Sequence, residues 1–317
     1  MEMNKQSYHV ALVGECMVEL SGEPLSRSYG GDTLNTALYL SRLLSKDQVT
    51  VSYATALGED AISDEMQQNW QSEGIATGLV SRLPGKMPGL YLVETDPQGE
   101  RTFHYWRSDS AAKRYFEDIS PLEKIIKGEG LDLLYFSGIS VAILPIEGRN
   151  KLLSLIHEAR RQGATIVFDN NYRPRLWQCG EVQDWYGECL RVTDLALITQ
   201  DDDEAVWGDQ DIATRCQAFG CQEVVIKRGA EPCSVVTDLQ SAEPQQFSIA
   251  GESVERVVDT CAAGDSFAAG YLAGYIKQWP IQRRVALAHK LAATVIQYPG
   301  AVIEKSAMPD TSVFEST

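Results

Sequence analysis

A mostly parallel α/β sheet, wound by helices on both faces, is the fold class this sequence predicts. Two observations predict it. Short apolar runs recur along the chain, and amphipathic helical stretches separate them. The runs fall at residues 9–13, 49–55, 131–137, 165–169, 195–199 and 224–227. All but the second are nearly continuous in Val, Ile, Leu or Phe, as strands are when helices cover both of their faces. Helical spacing between them predicts helices at 34–44, 62–73, 147–161 and 211–219. The acidic run Asp201-Asp202-Asp203-Glu204 opens a further helix, where acids offset the helix dipole. Two stretches break the pattern. Residues 16–21 and 89–107 alternate like antiparallel strands, the second folding back around Thr95-Asp96-Pro97-Gln98-Gly99. Such a ribbon inserted into an α/β chain predicts a small sheet able to cover a site.

Composition narrows the function classes. The 317 residues are 44% hydrophobic and 23% charged, ordinary for a globular protein. Lys and Arg number 28 against 44 Asp and Glu, a net charge of −16, which disfavours a nucleic-acid partner. Residues 1–8 lack an apolar export segment, and no run of about 18 apolar residues suggests a membrane span. The seven cysteines are scattered and odd in number, and the Cys216, Cys221 spacing has no histidine near it to suit zinc. Reduced thiols and a cytoplasmic location are the expectation. The four histidines are too far apart in sequence to suggest a metal cluster.

The most informative segment is Val258-Asp259-Thr260-Cys261-Ala262-Ala263-Gly264-Asp265-Ser266-Phe267. Its tiny side chains let a ligand approach the backbone, and the apolar stretch after it predicts a buried helix. Ala262, Ala263 and Gly264 would then offer N–H groups to an anion at the positive end of the helix dipole. Asp265 in that place has two readings. It is a first-turn acid that complements the dipole, or a base that takes a proton from a hydroxyl attacking a phosphoryl group. The phosphate-binding G-x-x-x-x-G-K-[ST] pattern is missing. So is the dinucleotide G-x-G-x-x-G, since Val13-Gly14-Glu15-Cys16-Met17 follows the first strand. Any phosphate must be held elsewhere, and residues 259–265 are the candidate. Cys261, at the same helix start, would have a lowered thiol pKa and be open to oxidation.

Asp259-Thr260-Cys261-Ala262-Ala263-Gly264-Asp265, together with Gly30-Gly31-Asp32-Thr33-Leu34-Asn35, resembles the signatures of the ribokinase-like (PfkB) carbohydrate kinases. Ala262 stands where the family more often has glycine. The resemblance runs collinearly over about residues 8–310. It extends to Gly99-Glu100-Arg101-Thr102-Phe103-His104-Tyr105-Trp106-Arg107, Phe168-Asp169-Asn170-Asn171-Tyr172-Arg173-Pro174 and Val225-Ile226-Lys227-Arg228-Gly229-Ala230. It implies one kinase domain over 1–317: a three-layer α/β/α unit with a mostly parallel central sheet, and a small antiparallel β lid from about 15–30 and 86–110.

By that resemblance, these strings imply transfer of the ATP γ-phosphoryl group to the C6 hydroxyl of 2-keto-3-deoxy-D-gluconate, with Asp265 as base. Ala262, Ala263 and Gly264 would form the anion hole. Gly31, Asp32 and Asn35 would meet the sugar, Tyr91 and Tyr105 its carbon chain, and Arg107 and Arg173 its carboxylate, a task that suits the planar guanidinium. Lys227, Arg228, Gly229 and Ala230 would hold the nucleotide, with Asn170 nearby. Asp201 and Glu204 match a family motif linked indirectly to Mg2+, with Asp in place of the family's Asn. ATP and Mg2+ are the implied cofactors, with room for a monovalent cation such as K+ near Asp259. A homo-oligomer through the lid is the implied assembly. A fructokinase or ribokinase type of neutral-sugar kinase and a non-catalytic sugar-acid sensor remain as alternatives.

Overall fold

The computed structural model describes residues 7–95, 101–128, 130–178 and 180–314. The reversal expected around residues 96–99 therefore lies outside the described residues. Thirteen strands are described: β1 (Tyr8–Val13), β2 (Met17–Ser21), β3 (Ser26–Gly30), β4 (Val49–Leu57), β5 (Val80–Arg82), β6 (Leu90–Thr95), β7 (Arg101–Trp106), β8 (Leu133–Ser137), β9 (Thr165–Asp169), β10 (Leu195–Thr199), β11 (Glu223–Lys227), β12 (Cys233–Thr237) and β13 (Gln245–Ile249). Nine form one sheet in the order β13-β12-β11-β10-β9-β8-β1-β4-β5, and four form a second in the order β3-β2-β6-β7. The large sheet is parallel from β11 to β5, while β12 and β13 extend it antiparallel at one edge.

The parallel strands are apolar on both faces because two helical layers need covering. Val10, Leu12, Leu133, Tyr135, Val167, Leu195 and Leu197 point into one core. Ala11, Leu134, Phe136, Ile166, Phe168, Ala196 and Ile198, their alternating neighbours, point into the other. The first core is closed by α1 (Asp32–Leu43), α2 (Ala61–Ser72), α9 (Ala263–Ile276) and α10 (Ile281–Val295). The second holds α3 (Pro121–Lys127), α4 (Gly138–Ala142), α5 (Ile146–Arg161), α6 (Val182–Arg191), α7 (Gln200–Trp207) and α8 (Ile212–Phe219).

Helix starts follow local chemistry. The Asp60 carboxylate accepts from the Ile62 and Ser63 N–H groups, both at 3.0 Å, and Asp211 accepts from Thr214 N–H at 2.7 Å. Helix α9 differs, being apolar all round, and it is buried between the sheet, α1 and α10. Gly270 makes that crossing possible, since a Cβ there would sit 2.7 Å from Ala288 Cα.

All six expected helices and all six expected main strands are present, with ends shifted by a few residues. Strands β5, β12 and β13 and helices α3, α4, α6 and α10 go beyond the expectation. In the second sheet β2 pairs antiparallel with β3 and parallel with β6, and β6 pairs antiparallel with β7. It is thus mixed rather than wholly antiparallel, because β6 joins β2 after a long excursion through α1, β4 and α2.

Candidate active site

The C-terminal ends of the parallel strands open into a cavity of about 1910 Å3. Asp169, Thr199 and Lys227 end β9, β10 and β11 there, as ligand sites do in open α/β sheets. Met17, Glu19, Tyr91, Phe103 and Tyr105 of the second sheet line the opposite wall. Ligand pockets commonly span roughly 300–1,000 Å3. This cavity is larger, and its walls change character along its length, which suits two ligands end to end.

At its floor, α9 begins. Ala262 is the N-cap, in the left-handed region at φ 57°, and Asp265 lies in the first turn. The preceding loop is held by Asp259, whose Oδ1 accepts from Cys261 N–H at 2.9 Å and Oδ2 from Gly300 N–H at 2.7 Å. Ala263 N–H donates to Thr260 O at 3.2 Å. That donor closes the turn and is not offered to a ligand, so the expected three-donor anion hole has one member fewer in this geometry.

The Asp265 Oδ2 atom accepts from Asn35 Nδ2 at 2.8 Å, across a separation of 230 residues. Burial, and next the charge of Asp32, push the Asp265 carboxyl up to about 7. Asp32 is itself raised by burial, against hydrogen bonds from Ser137 and from its own helix start. Its Oδ2 accepts from Ser137 Oγ at 2.5 Å and Asn171 Nδ2 at 2.8 Å. Beside the pair, Lys227 Nζ donates to Asp169 Oδ2 at 2.7 Å, and both residues line the cavity. Gly31 lies against the β1 exit loop, since a Cβ there would be 2.2 Å from Glu15 O.

On the second sheet, the Tyr91 hydroxyl donates to Glu19, and Arg107 donates to the buried Glu15. Both side chains expected to face the sugar therefore already hold a carboxylate. Tyr91 and Tyr105 rings lie 5.8 Å apart, and the Arg107 Cζ sits 5.9 Å from the Tyr105 centroid. His104 points to the outer face as strand alternation requires, where it meets Glu94 at 2.8 Å. Arg173 Nη1 approaches Asp202 Oδ2 at 3.7 Å. The far end of the cavity is apolar, with Val254, Val257, Ile296 and the edge-on Phe267 and His289 rings, 5.3 Å apart.

Gly31, Asp32, Asn35, Tyr91, Tyr105, Arg107, Arg173, Lys227, Arg228, Gly229, Ala230, Ala262, Ala263, Gly264 and Asp265 all line this one cavity. Asn170, Asp201 and Glu204 are not among its lining residues. Asn170 is buried and brackets β10: its Oδ1 accepts from Thr199 N–H at 2.9 Å and its Nδ2 donates to Thr199 O at 3.0 Å. Asp201 and Glu204 are exposed on α7, and Gln200 donates to Glu204 at 2.7 Å. Asn171, next to Asn170, and Asp202, next to Asp201, line the cavity instead. Glu15, Glu19 and Asp169 also line the cavity, with no role assigned to them from sequence. Glu19 had a signal, since Met17, Glu19 and Ser21 share one strand face. Among the described residues no disulfide links the cysteines, no helix is long and apolar enough to cross a membrane, and no group of three or more His, Cys, Asp or Glu could hold a metal.

The family description "pfkB family carbohydrate kinase" matches residues 8–307. The chain is 46% identical over 309 residues to the 2-dehydro-3-deoxygluconokinase of Dickeya dadantii, covering 95% of this chain and 98% of that one. Among solved structures it resembles a fructokinase with bound ATP from Xylella fastidiosa, with TM-score 0.81, 20% identity and 97% of each chain covered. It also resembles a ribokinase-type protein of E. coli in complex with ATP and Mg2+, with TM-score 0.81, 18% identity and 98% of each chain covered. At these identities the two structures speak for the ribokinase-like fold alone.

Proposed function

The chain belongs to the pfkB family of carbohydrate kinases, and from that premise we propose that it phosphorylates 2-dehydro-3-deoxy-D-gluconate with ATP at the C6 hydroxyl. One observation carries the chemistry: Asp265 sits at the start of α9, bonded to Asn35 and beside Asp32, in a cavity that Lys227 also lines. The D. dadantii relative's name supports the sugar acid, and Arg107 and Arg173 on the cavity wall suit its carboxylate. With the small sheet as lid, the acid end of the sugar lies toward these arginines and the C6 end toward Asp265.

ATP would run from the apolar end at Phe267 and His289 to the start of α9, where the dipole and Lys227 favour its phosphates. The residues present fit a Mg2+ carried on phosphate. Asp169 and Asp202 line the cavity, and such an ion takes its other ligands from phosphate and water. When bound, it neutralises charge on the β- and γ-phosphates. The loop that Asp259 braces is the place for a monovalent cation.

In the step itself, the C6 oxygen forms a bond to the γ-phosphorus while the bond from that phosphorus to its bridging oxygen breaks. ADP leaves, and the hydroxyl proton passes to Asp265. Remote contacts at the arginines orient the reacting end. The edge strand β7, which ends in the exposed Trp106, supports pairing of two lids in a homo-oligomer.

An ADP-release assay across 2-dehydro-3-deoxygluconate, fructose and ribose tests the assignment. The acid should lead in kcat/KM by about 100-fold or more, since a neutral sugar cannot make the charge-assisted contacts to the arginines. A neutral sugar turned over equally well would overturn it. Binding of the acid without ADP release would identify a sensor.

A further inference from the structure

We propose that Ser137 and Asn171 are positioning residues for the reaction, which together fix the Asp32 carboxylate opposite Asp265 so that it can receive the sugar's hydroxyls. The inference deepens the kinase reading above and rests on it. Three separate parts of the chain converge on one oxygen. Asp32 starts α1, Ser137 ends β8, and Asn171 lies in the loop after β9. Ser137 Oγ at 2.5 Å and Asn171 Nδ2 at 2.8 Å both donate to Asp32 Oδ2. Two donors on one oxygen fix the rotation of a carboxylate, which a single donor leaves soft.

Asn171 also holds a conformation it would not choose. Its φ is 24°, in the left-handed region, and its N–H is tied back to Asn170 Oδ1 at 2.9 Å. Strain of this kind persists where the surroundings over-determine it, commonly at functional sites. Here it aims the amide at Asp32. Ser137 is fully buried and carries a second duty, capping α4 through Ser140 N–H at 3.2 Å. Its hydroxyl can donate only once, and it spends that proton on Asp32.

The electrostatics give this arrangement a purpose. Asp265 and Asp169 face Asp32 with like charge, Arg173 opposes them, and Lys227 is bonded to Asp169. Donors to the ionised form of Asp32 favour that form against the burial and like charge that raise its pKa. The working enzyme needs both Asp32 and Asp265 ionised, one to accept sugar hydroxyls and one to take the proton. Removing a donor makes that doubly ionised state harder to reach.

The test is the pH profile of kcat/KM for the sugar, with KM for MgATP measured alongside. Ser137→Ala should lower sugar kcat/KM roughly tenfold and move the acid limb up by about half to one pH unit, with KM for MgATP within about twofold. Asn171→Ala should act in the same direction. Ser137→Thr, which keeps the hydroxyl, should restore the limb. Because Ser137 also caps a helix, Ser140→Ala is the control. Ser140 Oγ accepts from Ser137 N–H at 3.0 Å, donates to Val13 O at 2.6 Å and lies 3.1 Å from Ser137 Oγ, but does not touch Asp32. It should lower Tm and leave the acid limb in place. An unshifted limb in Ser137→Ala, or an equal shift in Ser140→Ala, overturns the inference. Should the wild type turn over only a neutral sugar, the acid assignment fails, and the same readouts on that sugar decide the role of Ser137.

Discussion

The two walls of the cavity handle charge in opposite ways. On the second sheet each carboxylate has a donor facing it: Glu15 has Arg107, Glu19 has Tyr91, and Glu94 on the outer face has His104. At the start of α9, among the described residues, Asp265 has only the neutral Asn35 amide as its side-chain donor, and another carboxylate, Asp32, lies beside it. Paired charges fix shape, because each partner restricts the other's rotamers. A crowded carboxylate is kept close to protonation, which is the condition for exchanging a proton near neutral pH. One wall is therefore built to orient and the other to react.

The contrast breaks most sharply at Asp265. Asp265→Asn should cut kcat by about 10²- to 10⁴-fold while KM for ATP and sugar changes little. Its stability should move the other way. The folded carboxyl is raised above its unfolded value of 3.8, so the folded state holds the extra proton between that value and about 7. Asp265 thus subtracts stability progressively as pH rises through that window, and above it the Asn variant should melt at a higher temperature than wild type. In wild type, kcat/KM should rise with pH through about 7 and level off above it. Near-normal turnover in Asp265→Asn would end its assignment as base.

The orienting wall offers the next largest effect. Arg107→Ala and Arg173→Ala should each raise KM for the acid by roughly 10- to 100-fold, the usual worth of a charge-assisted contact, with kcat less affected. The two should part company in stability. Arg107→Ala strands Glu15, only 1% exposed, without its counter-charge and should lower Tm by several degrees. Arg173 is 53% exposed and 3.7 Å from Asp202, so its loss should leave Tm nearly unchanged. A similar Tm loss in both would show that the pairing of Glu15 is not what distinguishes them.

The smallest effect sharpens the floor of the site. Ala262 carries its methyl group in the left-handed region at φ 57°. Ala262→Gly should relieve that strain and, after the extra entropy of an unfolded glycine, raise the free energy of unfolding by no more than about 1 kcal/mol, read by denaturant titration. Destabilisation would show that the methyl contributes packing that outweighs the backbone strain.

Much of this was legible before any coordinates. Apolar runs flanked by helical spacing marked the six adjacent parallel strands from β11 to β4, which helices cover on both faces, but not the antiparallel inner strand β12. The edge strand β13 left a weaker trace, since exposed Gln245, Gln246 and Ser248 dilute its pattern. Fifteen of the expected site residues line one cavity. Of the three that do not line it, Asn170 and Asp201 lie one position from a lining residue and Glu204 lies two. Asn170 and Asn171 are adjacent and chemically identical, as are Asp201 and Asp202. Which of each two faces the cavity depends on backbone rotation in a loop and on a helix, and a string of residues does not carry that rotation.

By itself the sequence determined the alternation of strands and helices, the small-residue start of α9, and the acid, arginine and tyrosine types available to a site. Those follow from local propensity and from the need to bury apolar side chains. The tertiary structure alone decided which charges meet. Asp32 and Asp265 crowd each other because α1 and α9 pack side by side with both N-termini at the same end of the sheet. Glu15 and Arg107 pair because the β1 exit loop meets the end of β7. Electrostatic energy depends on distance in space, and chain order fixes that distance only after the fold has closed.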